Sequence, residues 1–302
     1  MLKTLDELFE LVIERKAGDL DFSVGKPDVG RFRINLRRQR GGHSAAWRFV
    51  PNRIPTFEKL NLPPRLCEFA KLRRGMVLVT GGAATGKSTT LAAMIDFINR
   101  NFTYHIITLE DPIEYAFSHQ KSLIEQREIG KDSRSFSSAL RHVVRQRPDV
   151  ILVGEMRDLE TVATALTAAE AGHMVLATLH TSSAVQTVDR IIDAFPGPQQ
   201  AQVRIQLSAV LGGVACQMLF HDQLEGGLIP AVEILVPTSA IRRAVRDNET
   251  HLLSGMPETG RSLGMQSMDM SISGLVAEGR VTPEQTMASA HDPEKMKRLL
   301  AA

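Results

Sequence analysis

The sequence predicts an α/β fold: a mostly parallel sheet covered on both faces by helices, with a small three-stranded unit before it and helices after it. Three observations lead there. Short apolar runs at 76–80 (MVLVT), 105–110 (HIITLE), 149–154 (DVILVG) and 174–179 (MVLATL) alternate with helix-length segments, the pattern of parallel strands buried on both faces. The first run leads straight into Gly81-x4-Gly86-Lys87-Ser88 and a helical segment, a strand–loop–helix order with its own chemistry. The length of 302 residues, 43% of them apolar and 23% charged, suits two globular units with a sizeable core.

The elements follow in order. Residues 4–17 read as an amphipathic helix. Thr4 and Glu7 have capping-box spacing, Leu5, Leu8, Phe9, Val12 and Ile13 share a face, and Gly18 is a stop. DLDFSV, RFRINL and AAWRFV (19–24, 31–36 and 45–50) read as short strands joined by turns rich in glycine and proline. A unit of about 50 residues buries little surface alone and is expected to lean on another. Pro51, Pro55, Pro63 and Pro64 mark a linker with a short helix. Helices are expected from the glycine loop to about Asn99, over 134–146 and over 158–171. After residue 184 the chain reads as mainly helical apart from a strand at 228–235, LIPAVEIL.

Composition excludes several classes. With 36 basic and 34 acidic residues the net charge is +2, too balanced for nucleic acid as the main partner. Two cysteines, Cys67 and Cys216, cannot build a disulfide framework or a four-cysteine zinc site, so a reduced, cytoplasmic setting is expected. The opening stretch mixes acids with apolar residues, unlike a signal peptide or membrane span. No apolar run approaches the roughly 18 residues that a bilayer needs.

The chemistry sits at the strand ends. Glycines at 81, 82 and 86 let backbone N–H groups wrap phosphates, with Ala83, Ala84 and Thr85 between them. Lys87 adds charge for the outer phosphates, the Ser88 hydroxyl can ligate Mg2+, and the helix N-terminus adds its positive end. Such a loop is expected to bind ATP. Glu155 follows an apolar strand and Gly154, where a carboxylate faces the ligand crevice and can polarise water and hold the Mg2+ shell. TLEDPIEY (108–115) clusters Glu110, Asp111 and Glu114, which suits metal or water positioning, or turn chemistry around Asp111–Pro112. His173 and His180 bracket a strand, and composition alone gives them no role. Five arginines in residues 31–40, with Arg48 beyond, suit a solvated basic face or arginines presented to a nucleotide. Little aromatic interleaving argues against nucleic acid.

Taken together and in this order, these blocks resemble the secretion ATPase superfamily and, within it, the retraction ATPases of type IV pili. TLEDPIEY looks like the family's Asp box, RPDVILVGEMRDLET its Walker B segment, and GHMVLATLHTSSA its His box. AIRRAVRD (240–247) is similar to the AIRNLIRE motif of retraction motors, and 262–279 looks like their C-terminal region. The resemblance implies a RecA-like ATPase domain at 66–302, helical from about 238, a linker at 51–65 and a short N-terminal domain at 1–50. That domain would be the remnant of a PAS-like one about twice as long. It further implies a homohexameric motor powering twitching motility, peripheral to the inner membrane on its cytoplasmic side and acting on a pilus platform protein there. Lys87, Ser88 and Thr89 would hold phosphate and Mg2+, and Glu155 would activate water. Glu110 and Glu114 would be Asp-box acids, His173 and His180 the His-box pair, and Arg33 and Arg48 candidate fingers, with Arg40 a weaker third. GGAATGKS departs from the family's GPTGSGKS at Ala84, where a glycine stands. The rival readings are a pilus assembly or type II secretion ATPase and a nucleotide-binding accessory subunit with little turnover.

Overall fold

The computed structural model describes residues 19–26, 30–40, 42–51, 53–287 and 293–300. The helix expected at 4–17 lies outside them. The chain forms two compact units, residues 1–54 with 114–116, and residues 55–113 with 117–302.

In the first unit, β1 (Asp19–Lys26), β2 (Gly30–Gln39) and β3 (Gly42–Pro51) make an antiparallel sheet in sequence order. Ile34 and Leu36 are buried, with Val24, Phe32 and Ala45 packed against them. The register sets Arg33 opposite both Ser23 on β1 and Arg48 on β3. Arg37 donates through Nε to Ser44 Oγ at 3.0 Å. Arg40 occupies the turn with φ 45°.

The second unit carries a seven-stranded sheet. Its strands are β4 (Gly75–Thr80), β5 (His105–Glu110), β6 (Leu123–Glu128), β7 (Val150–Val153), β8 (Met174–Leu179), β9 (Leu211–His221) and β10 (Leu228–Leu235), in the order β10-β9-β4-β8-β7-β5-β6. All neighbours are parallel except β9 and β10. The central strands alternate between two cores. Met76, Leu78, Ile107, Ile151, Val153 and Val175 face one, while Val77, Val79, Ile106, Leu152 and Leu176 face the other. Both faces are dry, which is why these strands read as continuous apolar runs.

Helices α1 (Pro64–Ala70) and α2 (Lys87–Asn101) cover the second core. The first core is covered by α3 (Phe136–Val143), α4 (Leu159–Glu170), α5 (Ala184–Asp193), α6 (Gly197–Val210) and α7 (Ser239–Arg246). Ser135, Asp158, Ser183 and Thr238 cap α3, α4, α5 and α7 by accepting from a backbone N–H, as such residues do. Beyond α8 (Met256–Thr259), α9 (Met268–Ala277) packs Met268 and Ile272 on Phe220, Ile229 and Ala231, near α10 (Pro283–Met287) and α11 (Pro293–Leu300).

Two strands correct the sequence reading. β9 replaces part of a region read as mainly helical, because Gly212 and Gly213 look like breakers. They are there for close approach: a Cβ on Gly213 would sit 2.4 Å from the Phe69 ring, and one on Gly212 3.0 Å from Leu72. β6 was missed because LIEQRE is a polar edge strand with little apolar periodicity. The helix expected over 134–146 starts at Phe136 after its Ser135 cap, and its last turn, Val144–Gln146, is a 3-10 helix.

Candidate functional site at the strand ends

The C-terminal ends of β4, β8, β7 and β5 lie side by side, the edge where open parallel sheets bind ligands. The glycine loop leaves β4 there. Gly81 has φ 142°, and a Cβ on it would lie 2.4 Å from the Gln217 carbonyl oxygen. Gly86, at φ 84°, caps α2 with no side-chain hydrogen bond, and no acidic residue sits in the first turn. The N–H groups that open α2 therefore keep their donors and positive dipole for an anion. Lys87 is buried, its Nζ donating to the carbonyls of Gly81 at 3.0 Å and Gly82 at 2.6 Å. Thr85 Oγ1 donates to Gly82 O at 3.1 Å, while Ser88 is exposed at the mouth and Thr89 half-buried. Ala83 is exposed on the same rim.

Ala84 has φ 58°. An L side chain in this left-handed region costs roughly 1–2 kcal/mol, which glycine escapes. Glycine also gives the unfolded chain more freedom, which offsets part of that gain. Ala84→Gly is expected to raise stability by about 0.5–1 kcal/mol and to leave ATP binding at least as tight, measured by thermal unfolding and nucleotide titration.

Glu155 follows β7 and Gly154, whose N–H donates to Leu109 O at 2.7 Å. Its carboxylate meets Arg157 Nη2 at 2.6 Å and His180 Nε2 at 3.2 Å. Partial burial alone would raise its pKa. The Arg157 hydrogen bond and charge, with His180 beside it, outweigh burial and hold it below the ordinary glutamate value. Asp158 turns the chain into α4 by accepting from Thr161 N and Oγ1, each at 2.8 Å. At the end of the neighbouring strand β5, Glu110 accepts from Thr108 Oγ1 at 2.6 Å and Gln126 Nε2 at 3.1 Å.

The structure thus brings the loop at 81–89, Glu155, His180 and Glu110 to one sheet edge. It does not bring His173 there. Its Nδ1 lies 2.6 Å from Pro148 O at the opposite end of β8. Glu114 belongs with residues 114–116 to the first unit, as do Arg33 and Arg48. Sequence reasoning missed Arg157, Gln126 and Gln217. Gln126 and Gln217 sit on the two unrecognised strands, so no pattern marked them. Arg157 stood in a quoted motif without a role.

The AIRRAVRD segment forms α7 and its cap. Arg242 donates through Nη1 to the carbonyls of Ser208 (2.5 Å) and Ala209 (3.0 Å), and through Nη2 to that of Leu211 (2.8 Å). It thereby satisfies the last carbonyls of α6. Ile241, Ala244 and Val245 are buried, so two of the four departures from AIRNLIRE, Ala244 and Val245, are smaller side chains in the core.

A family model described as type II/IV secretion system protein matches residues 57–286. The chain is 46% identical to the type IV pilus retraction ATPase PilT of Pseudomonas aeruginosa over 276 residues, covering 91% of this chain and 80% of that protein. It is 45% identical to a twitching motility protein of Neisseria gonorrhoeae, covering 92% of this chain and 74% of that one. Among solved structures it is similar to the pilus retraction motor PilT with bound ADP, with a TM-score of 0.87, 45% identity, and coverage of 98% of this chain and 84% of that one. The ATPase DotB of Legionella pneumophila superposes with a TM-score of 0.81 at 25% identity, over 92% of this chain and 80% of that one.

Proposed function

The chain belongs to the type II/IV secretion system protein family, and from its site we propose that it hydrolyses ATP to power retraction of a type IV pilus. The observation that carries this is the convergence of the anion-binding loop, Glu155, His180 and Glu110 on one sheet edge. Phosphoryl transfer needs positioning and charge neutralisation more than covalent chemistry, and these residues supply both.

In this reading the loop N–H groups and Lys87 grip the phosphates, with Lys87 leaving the Gly81 and Gly82 carbonyls to do so. Glu155 takes the proton of the attacking water as that oxygen bonds the γ-phosphorus and ADP leaves. Arg157 and His180 keep Glu155 ionised and aimed, and Glu110, on the neighbouring strand, orients water. Among the described residues no cluster of three His, Cys, Asp or Glu could hold a metal by itself. Mg2+ takes one or two protein oxygens and otherwise phosphates and water. Ser88 and the Glu155 shell would hold it, and it would neutralise developing phosphate charge.

Arg33 and Arg48, opposed in register on β2 and β3, are the candidate fingers. Their unit would close on a nucleotide in a homohexamer and convert hydrolysis to movement. The load would be an inner-membrane platform protein engaged from the cytoplasm by peripheral contact. Among the described residues no helix is long and apolar enough to cross a membrane.

The deciding experiment measures solution mass with and without a nonhydrolysable ATP analogue, alongside steady-state turnover. A hexamer that turns over ATP is expected. A monomer that binds without turnover would instead indicate an accessory subunit. Arg33→Ala and Arg48→Ala should each cut turnover of the assembled protein about 10³-fold, the low end for an arginine finger. Unchanged rates would remove them from the mechanism.

A further inference from the structure

One residue of β9 meets the phosphate loop at two places and the helix that follows it at a third. The register pairs Cys216 with Thr80, so Gln217 stands level with the start of the loop. Its main-chain oxygen occupies the space that a side chain on Gly81 would need, and its Nε2 lies 2.9 Å from where a Cβ on Gly86 would stand. Its Oε1 accepts from Thr90 Oγ1 at 2.8 Å, in the first turn of α2. The residue is only 3% exposed. No described residue accepts a hydrogen bond from its Nε2.

We propose that Gln217 is a positioning residue for ATP, fixing the phosphate loop from behind and presenting an amide donor to it when phosphates are bound. This rests on the loop being the ATP site. Among the described residues Arg65 Nε alone is a fully enclosed side-chain nitrogen or oxygen without a partner, so Gln217 Nε2 is not sealed off and its N–H stays available beside Gly86 for the ligand-bound loop. The Thr90 bond pins the carboxamide so that oxygen faces the helix and nitrogen faces the loop. Lys87 hydrogen-bonds the carbonyls of Gly81 and Gly82 here, and those loop carbonyls lose that donor when the ammonium turns to phosphate. Gln217 supplies a second, neutral donor beside Gly86. It touches no reacting atom, and its effect is expected in nucleotide affinity before turnover.

The test compares Gln217→Glu and Gln217→Leu with the unaltered chain, using Lys87→Ala as the control without a phosphate grip. Thermal unfolding, ATP Kd, and KM and kcat are measured for each. Gln217→Glu keeps the oxygen that accepts from Thr90 but replaces the donor with a negative oxygen near the phosphates. It should weaken ATP affinity at least tenfold and raise KM more than it lowers kcat. Its Tm should stay within about 4 °C of the unaltered chain, the shift that roughly 1 kcal/mol causes at this size. Gln217→Leu should weaken affinity too, and also lose stability because the Thr90 hydroxyl is left without its acceptor. Unchanged Kd in Gln217→Glu overturns the proposal. So does a loss of affinity that appears only together with a larger fall in Tm, the mark of a merely structural role. If the unaltered chain itself fails to bind ATP, the reading of the loop falls instead.

Discussion

Lys87→Ala is expected to weaken ATP binding about a hundredfold. The ammonium is buried against the carbonyls of Gly81 and Gly82 and is not spread into solvent. It is thus held within the loop that the phosphates would enter, with little side-chain freedom left to lose. A hydrogen bond to a charged group contributes up to roughly 3 kcal/mol, and 1.4 kcal/mol is tenfold in Kd. The substitution also leaves two loop carbonyls without this donor, so the fold should be checked by thermal unfolding. ATP titration is the direct measurement. Affinity within a few-fold of the unaltered chain would mean that the backbone N–H groups of the loop carry the grip alone.

Glu155→Gln is expected to keep ATP affinity and to lose about 10²- to 10⁴-fold in turnover, the usual contribution of a general base. Glutamine keeps the shape and can still meet Arg157 and His180, but it cannot take a proton. The pH dependence has a definite sign. Arg157 and His180 hold the Glu155 pKa below the ordinary value of 4.5, so the base stays ionised through mildly acid pH. Its limb of the pH–rate profile should lie below that value. The same shift contributes stability above the ordinary carboxylate pKa, and that contribution is lost as pH falls through the depressed one. Single-turnover rates with saturating ATP separate this from a binding effect. A variant that hydrolyses ATP normally would give the base role to another group.

The site was largely legible because its residues cluster at apolar strand ends. MVLVT before the glycine loop, Gly154–Glu155 after DVILVG and His180 after MVLATL are each a strand and its end, and period and glycine chemistry reveal both. What was illegible depends on packing between distant segments. Gln217 stands behind the loop only because β9 inserts beside β4, and β9 itself was hidden by glycines that make room for Phe69 and Leu72. His173 and His180 look alike in a motif. The strand between them sends one to Pro148 and the other to Glu155.

The sequence by itself determined the α/β class, the glycine loop and the order of the acidic and histidine blocks, since these follow from local periodicity and from residue types with few alternatives. The tertiary structure alone decided three things: that Ala84 stands at positive φ, that Arg157 shares the Glu155 carboxylate, and that Arg242 closes the end of α6. Each depends on how separate segments meet or on a dihedral that no residue type dictates, because backbone strain and side-chain partners are set by the space other elements leave.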